Sequence, residues 1–541
     1  MSRLMARRAG LGPVRHRQVA VDRDLATPMP DGAILLADRW YPVGVDRPPL
    51  IVLRSPYGRR QLGAVGRLMA ERGYGAFIQS CRGSFGSGGA WEPFRHERAD
   101  GLATHAWIAA QPWFGGQAAT FGASYLGLTQ WAVVEDAPAH IQAMALDVTA
   151  SFFRDAVTFP GGSFALETGA TWLHQLEHQE HEIASILWAH LRSSRQLSPV
   201  YRVLPLSRAD KAGLRRHVGY YQDWLAHEQP GDAWWDPIRF GRDLTQAPPA
   251  SMVGGWYDLF LPWQVDDYLA LRAAGRQARL TIGPWTHTSP GGLLDQLRDG
   301  LEWFDEHLLK ERPATARREV RLWVLGAGRW VELDSWPPPA TPQRWHLQAG
   351  GGLAPAAPAE GPPDRYRYDP ADPTPAIGGP SLNWRTSGPR DQAGREDRPD
   401  VLTYTSVPLE RDMTVAGPLR ARIWLRASRA HTDLFVRLCD VDSGGTSRNL
   451  SDGILRLGPG DPAAAPDGSR GVDVSMWPTA ATFRAGHCIR LQVSSGAHPL
   501  FVRNLGSGER LGSGTTLLAS DQEVFHDPAH PSAIDLPVSP I

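Results

Sequence analysis

Ser124 stands in Gly122-Ala123-Ser124-Tyr125-Leu126-Gly127, a hydroxyl set among small residues. The spacing is a Gly-x-Ser-x-x-Gly variant of the strand–turn–helix that lifts a serine to the apex of a sharp bend. Glycines two before and three after the serine remove side chains that would block such a turn. The serine would then sit at the N-terminus of the following helix, where backbone N–H groups and the helix dipole favour negative charge. An ordinary tight turn is the competing reading. A serine hydroxyl is a poor nucleophile until a neutral imidazole takes its proton, and that imidazole needs a carboxylate to fix its tautomer. Asp258 follows the apolar run Ser251-Met252-Val253, and His287 follows Leu280-Thr281-Ile282. Each falls on a loop just after a strand, in the order Ser, Asp, His that this arrangement requires. Asp266 and Asp267 are weaker candidates, expected to be solvated or capping residues of a helix over Trp263 to Arg272, and His96 and His140 break the order. A turn aspartate and a structural histidine are the alternatives for Asp258 and His287.

Acyl transfer also needs donors for a developing oxyanion. The Tyr125 N–H, directly after the serine, is one. The second should come from the loop after an early strand, where Arg54-Ser55-Pro56-Tyr57 follows Leu50 to Leu53. Pro56 has no N–H to give, but Tyr57 carries a phenolic O–H; the pattern alone slightly favours a buried structural tyrosine. Two other clusters are weaker. His174, His178 and His181 share one face of a potential helix, but interleaved glutamates and the lack of a His-Glu-x-x-His order favour a solvated face over a metal site. The glycine-rich run Arg82 to Gly89 lacks the Lys-Ser/Thr ending of a phosphate loop, so a structural turn is expected.

These residues must be carried by elements. Between Val19 and Asp147, short β runs (Ile34 to Trp40, Leu50 to Arg54, Gly75 to Cys81, Ala118 to Phe121, Ile141 to Asp147) alternate with helical stretches (Ala64 to Glu71, Ala99 to Ala110). That alternation predicts a mainly parallel sheet covered by helices. From Ser151 to Asp243 the pattern turns helical, notably over Ala170 to Arg192 and Asp210 to His227, and it then returns to alternation. The economical division is one α/β domain in two parts, 18–147 and 246–317, with a helical insertion at 148–245 that can cover a site. Residues 318–541 show a Pro/Gly-rich tract and then alternating runs, which predict an antiparallel sandwich or jelly roll. Trp345, Tyr366 and Tyr368 within the tract predict an ordered, extended segment rather than a free linker.

The chain has 541 residues, 56 basic and 57 acidic, for a net charge of −1. No basic stripe supports nucleic-acid binding. Cys81, Cys439 and Cys488 are too few and scattered for a disulfide framework or a metal cluster, and Cys81 reads as core. The basic start of the chain is not followed by the apolar run of a secretory signal, and no segment reaches the roughly 20 apolar residues of a membrane span. A cytoplasmic protein needing no metal or cofactor is expected, acting on a small molecule, with assembly of identical copies left open. The 21 tryptophans are many; core roles are the default, although aromatic walls also suit a pocket for an apolar group.

Taken together, these residues resemble the CocE/NonD hydrolases, which include cocaine esterase-like enzymes, α-amino acid ester hydrolases and the catalytic domain of X-Pro dipeptidyl-peptidases. The carrying motifs are Arg54-Ser55-Pro56-Tyr57, Cys81-Arg82-Gly83, Gln111-Pro112-Trp113, the Ser124 hexapeptide, Gly255-Trp256-Tyr257-Asp258 and Gly283-Pro284-Trp285-Thr286-His287. Further matches include Tyr368-Asp369-Pro370 and Gly417-Pro418-Leu419, so the likeness runs from about residue 20 to the last third. Cys81 departs from the residue many relatives carry before Arg-Gly. The resemblance implies an α/β-hydrolase domain with an inserted helical cap and a C-terminal jelly roll. It implies Ser124 as nucleophile, His287 as base, Asp258 as its orienting acid, and Tyr57 with the Tyr125 N–H as oxyanion donors. It also implies acyl-pocket walls from aromatic residues of the cap and the acid loop, for which Trp172, Trp256 and Phe260 are the candidates. Length and the missing export signal favour a carboxylesterase. An X-Pro dipeptidyl-peptidase or amino acid ester/amide acylase is the alternative, and such an enzyme would need an acid such as Glu167 for the substrate ammonium. A catalytically silent binding protein is the remote one.

Overall fold

A computed structural model describes residues 2–178, 180, 196–311, 317–460 and 462–541. Ten strands form the first sheet: β1 (Val19–Pro28), β2 (Ile34–Pro42), β3 (Leu50–Ser55), β4 (Gly75–Ser80), β5 (Ala118–Ala123), β6 (Ile141–Asp147), β7 (Ala250–Tyr257), β8 (Ala278–Thr286), β9 (Val320–Val324) and β10 (Arg329–Leu333). Their order is β1-β2-β4-β3-β5-β6-β7-β8-β9-β10. From β4 through β9 neighbours run parallel, while hairpins close both edges. Every residue of β3, β4 and β7 is buried, as expected of strands covered on both faces. Each strand named from the alternation is present. The sheet nonetheless reaches Leu333, past the division at residue 317: β9 pairs β8 in parallel. Its alternating pattern, with β10, looks like an antiparallel domain in sequence; pairing onto an existing sheet edge decides otherwise.

Helices cover the sheet: α1 (Ser2–Arg8), α2 (Gly63–Ala70), α3 (Glu97–Ala109) and α4 (Tyr125–Trp131) come before the insertion. The insertion is less regular than its periodicity suggests. It holds α5 (Leu166–His178), then α6 (Ala209–Leu214) and α7 (Gly219–Ala226) where one helix from Asp210 to His227 was expected. Arg215 takes a left-handed conformation at the end of α6 and ends that helix. The sheet then resumes with α8 (Leu261–Ala273) and α9 (Pro290–His307).

The C-terminal part is an eleven-stranded, mainly antiparallel β domain built around the long pair Met413–Ala427 and Arg470–Phe483. The Pro/Gly-rich tract contributes strands Thr341–Gln348 and Asp364–Tyr368, and Trp345, Tyr366 and Tyr368 are buried. It is ordered, as its aromatics indicate.

Candidate active site

The site is built on the end of β5. Ser124 has φ 58° and ψ −121°, between the strand and α4, a conformation that costs a non-glycine residue on the order of 1–3 kcal/mol unless its surroundings impose it. They do: the Ser124 N–H donates to the Asp147 carbonyl at 2.9 Å, and Thr149 Oγ1 donates to the Ser124 carbonyl at 3.0 Å. Gly122 has φ 147°, and a Cβ there would meet Leu126 at 2.4 Å; one on Gly127 would meet the Thr149 side chain at 2.4 Å. The hexapeptide's glycines are thus required by close approach at both ends of the bend.

Asp258 and His287 sit on the ends of β7 and β8, as expected of their strands. His287 Nδ1 and Asp258 Oδ2 are 2.7 Å apart, and both side chains are almost entirely shielded from solvent. The other carboxylate oxygen accepts from the Phe260 N–H at 2.8 Å. This leaves His287 Nε2 free of the carboxylate, and His287 and Ser124 line the same cavity. Asp267, by contrast, accepts from the N–H and hydroxyl of Ser151 at 2.7 and 2.6 Å; it fixes the entry to the cap instead of standing solvated or capping a helix. His140 pairs with His105.

Tyr57 lines the cavity beside Ser124. Its hydroxyl accepts the indole N–H of Trp172 at 3.2 Å. Burial pushes the Tyr57 phenol up to about 12, against the smaller opposing pull of Trp172, so it stays a donor across the neutral range. Its loop is pinned by Arg54, which pairs with Glu97 at 2.8 Å, donates to Gln79 at 3.0 Å, and is buried with it. The Tyr125 side chain points to the same anchor: its hydroxyl donates to Glu97 at 2.9 Å and accepts the Phe94 N–H at 3.1 Å. Its backbone N–H is the first of α4, a position without an intrahelical acceptor. The Trp172 and Tyr125 side chains thus contact Tyr57 and Glu97, contacts that only the packing reveals.

The cavity holds about 430 Å³, within the usual range for a small-molecule site. Trp172 and Phe260 line it together with Phe94 and Phe153, and Phe260 lies 5.5 Å from the His287 ring. Trp256 does not line it: its indole donates to the Trp323 carbonyl at 2.6 Å and its ring packs on Trp336, behind the sheet end. Glu167 is also elsewhere, accepting from Ser381 and Thr386 at 2.6 and 2.9 Å. Among the described residues no aspartate or glutamate lines the cavity. Leu382 of the C-terminal part does; no sequence signal singles it out.

The remaining candidates are structural. Arg82 bridges Asp100 and Asp31, making the glycine-rich run a braced turn. His174 bonds Gln196 and His178 bonds the His174 carbonyl, whereas His181 lies outside the described residues. Among those residues no group of three or more His, Cys, Asp or Glu side chains is arranged to hold a metal ion, and no helix is long and apolar enough to cross a membrane.

Residues 31–289 match the X-Pro dipeptidyl-peptidase (S15) family, and residues 314–535 match the X-Pro dipeptidyl-peptidase C-terminal non-catalytic domain. A cocaine esterase of Rhodococcus sp. (strain MB1 Bresler) is 29% identical, over 96% of this chain and 98% of that one. A putative serine esterase of Mycobacterium bovis is 26% identical, over 87% and 84%. Among solved structures, an α-amino acid ester hydrolase superposes with a TM-score of 0.80 at 21% identity, covering 98% of both chains. An aminopeptidase from a marine sediment Thaumarchaeota archaeon gives 0.79 at 22%, covering 98% of this chain and 97% of that one. At such identities the likeness is one of fold.

Proposed function

We propose that this chain, which matches the X-Pro dipeptidyl-peptidase (S15) family over residues 31–289 and that family's C-terminal domain over residues 314–535, is a serine hydrolase of the CocE/NonD type that cleaves carboxylic esters through an acyl-enzyme on Ser124. His287 takes the Ser124 proton as the hydroxyl oxygen attacks the ester carbonyl, and Asp258 holds the ring and offsets its positive charge. Tyr57 O–H and Tyr125 N–H receive the oxyanion. His287 then protonates the leaving alkoxide, and next deprotonates the water that releases the acid. The single observation that carries the assignment is the buried 2.7 Å pair of His287 and Asp258 facing the same cavity as Ser124 on its strained bend.

The preference for esters over aminopeptidase or amino acid ester substrates rests on the cavity wall. A substrate α-ammonium ion entering a desolvated site needs a carboxylate partner. Among the described residues the cavity offers none, and Glu167 is held by Ser381 and Thr386. Turnover of p-nitrophenyl acyl esters against Ala-Pro-p-nitroanilide tests this. Higher kcat/KM on the esters is expected; faster turnover of the anilide overturns the preference while leaving the serine mechanism intact.

A further inference from the structure

The cavity walls belong to two separate apolar clusters. Phe94, Phe153, Trp172 and Phe260 are part of the large core shared by the cap and the C-terminal domain. Leu126 and Leu297 are part of a second core beneath α2 and α9, with Met5, Leu62 and Val65 packed against it. Tyr57 packs against both clusters. One cavity wall thus includes aromatic residues of the cap core, Ser124, and an aliphatic part that extends to Met5 of α1.

One polar side chain stands on the α9 wall of the aliphatic part. Gln296 is 4% exposed and lines the cavity, on the same α9 face as Leu293 and Leu297. Its amide takes part in none of the hydrogen bonds formed among the described residues and is not among their fully buried unpaired groups; it keeps access to the cavity. A buried amide left unpaired costs about 1–3 kcal/mol, so its partner must come from whatever fills the cavity: water in the free protein, a ligand group in the complex. An amide whose only job was to fill space would be replaced without loss by leucine; its placement here singles out one polar point along an aliphatic wall.

Resting on the esterase reading above, we infer that the arm walled by Met5, Leu62, Val65, Leu126 and Leu297 is a second substrate subsite. It takes an aliphatic chain on one side of the scissile ester, and Gln296 bonds a carbonyl, ether or hydroxyl group carried on that chain. The substrate class is therefore an ester with an aromatic or compact group under the cap and a substituted aliphatic group toward α1.

The test compares chain-length selectivity in two series, p-nitrophenyl acetate to decanoate and methyl to decyl benzoate, so that the chain lies on either side of the ester. In one series, Met5→Trp lowers the long-to-short ratio of kcat/KM about tenfold. In the same series Gln296→Leu raises that ratio for unsubstituted chains about tenfold, the rate equivalent of relieving one unpaired amide. Unchanged ratios in both series overturn the subsite. Binding of 1-decanol to Ser124→Ala protein, measured by calorimetry, reads the arm without catalysis. Weakened binding in Ser124→Ala/Met5→Trp supports it. Absent binding, or binding that Met5→Trp leaves unchanged, overturns the arm even if the esters are hydrolysed; intact decanol binding without any ester hydrolysis overturns the esterase reading instead.

Discussion

Trp172 donates its indole N–H to the Tyr57 oxygen, which leaves the phenolic proton available to a second acceptor in the cavity, the role proposed for it toward an oxyanion. Removing the hydroxyl in Tyr57→Phe should lower kcat by about 10²–10³ with little change in KM, as for the loss of one oxyanion donor. Trp172→Phe keeps the aromatic wall but loses the orienting bond, and should lower kcat by about 2- to 10-fold. Asp258→Asn should lower kcat by about 10⁴, because the histidine then settles in the wrong tautomer. Steady-state kinetics on a short p-nitrophenyl ester checks all three. At this scale Ser124, Asp258 and His287 are legible in sequence because each directly follows an apolar strand run, and strand ends converge in this architecture. Tyr57 is only half legible: its place after β3 is visible, but its burial against Trp172 is not. Trp256 and Trp172 look alike in sequence. Only the direction in which each side chain leaves its element separates the core residue from the wall.

The bend at Ser124 depends on elements that press on it. Gly127 leaves room for Thr149, whose hydroxyl in turn holds the Ser124 carbonyl. Gly127→Ala should therefore destabilise the protein by about 1–3 kcal/mol through overpacking, measured by urea unfolding. Adding Thr149→Gly should recover part of that loss, since the colliding atoms are gone. The cap is joined to α8 by Asp267, whose carboxyl burial raises from 3.8 to about 7 despite two bonds from Ser151. The folded protein then holds this proton between about pH 4 and 7, where the unfolded chain has released it. Its contribution to stability is present below that window and is lost as pH rises through it. Asp267→Asn should flatten the pH dependence of the unfolding midpoint over the same interval. Neither the break of the cap helix at Arg215 nor the bonding of Asp267 to Ser151, 116 residues away, is readable from local periodicity.

Across the whole molecule, the C-terminal domain takes part in the site. The Trp477 indole donates to the Asp258 carbonyl at 3.0 Å, Leu382 enters the cavity wall, and Ser381 and Thr386 hold the cap through Glu167. Two segments of this domain thus brace the site, one at the cap through Glu167 and one at the acid loop through Trp477, and small displacements of that loop are expensive in rate. Trp477→Phe preserves the packing and removes the N–H, and should lower kcat by about 10- to 10²-fold with KM nearly unchanged. The division into α/β core, inserted cap and β domain is legible from composition, but the reach of the first sheet to Leu333 and the buttressing of Asp258 are tertiary pairings without a local signature. The most direct measurement of the central claim is mass spectrometry of the protein after reaction with a fluorophosphonate. A single adduct on the peptide carrying Ser124, absent in Ser124→Ala together with ester hydrolysis, is the predicted result. An unlabelled wild type, or equal labelling and turnover in Ser124→Ala, would contradict it.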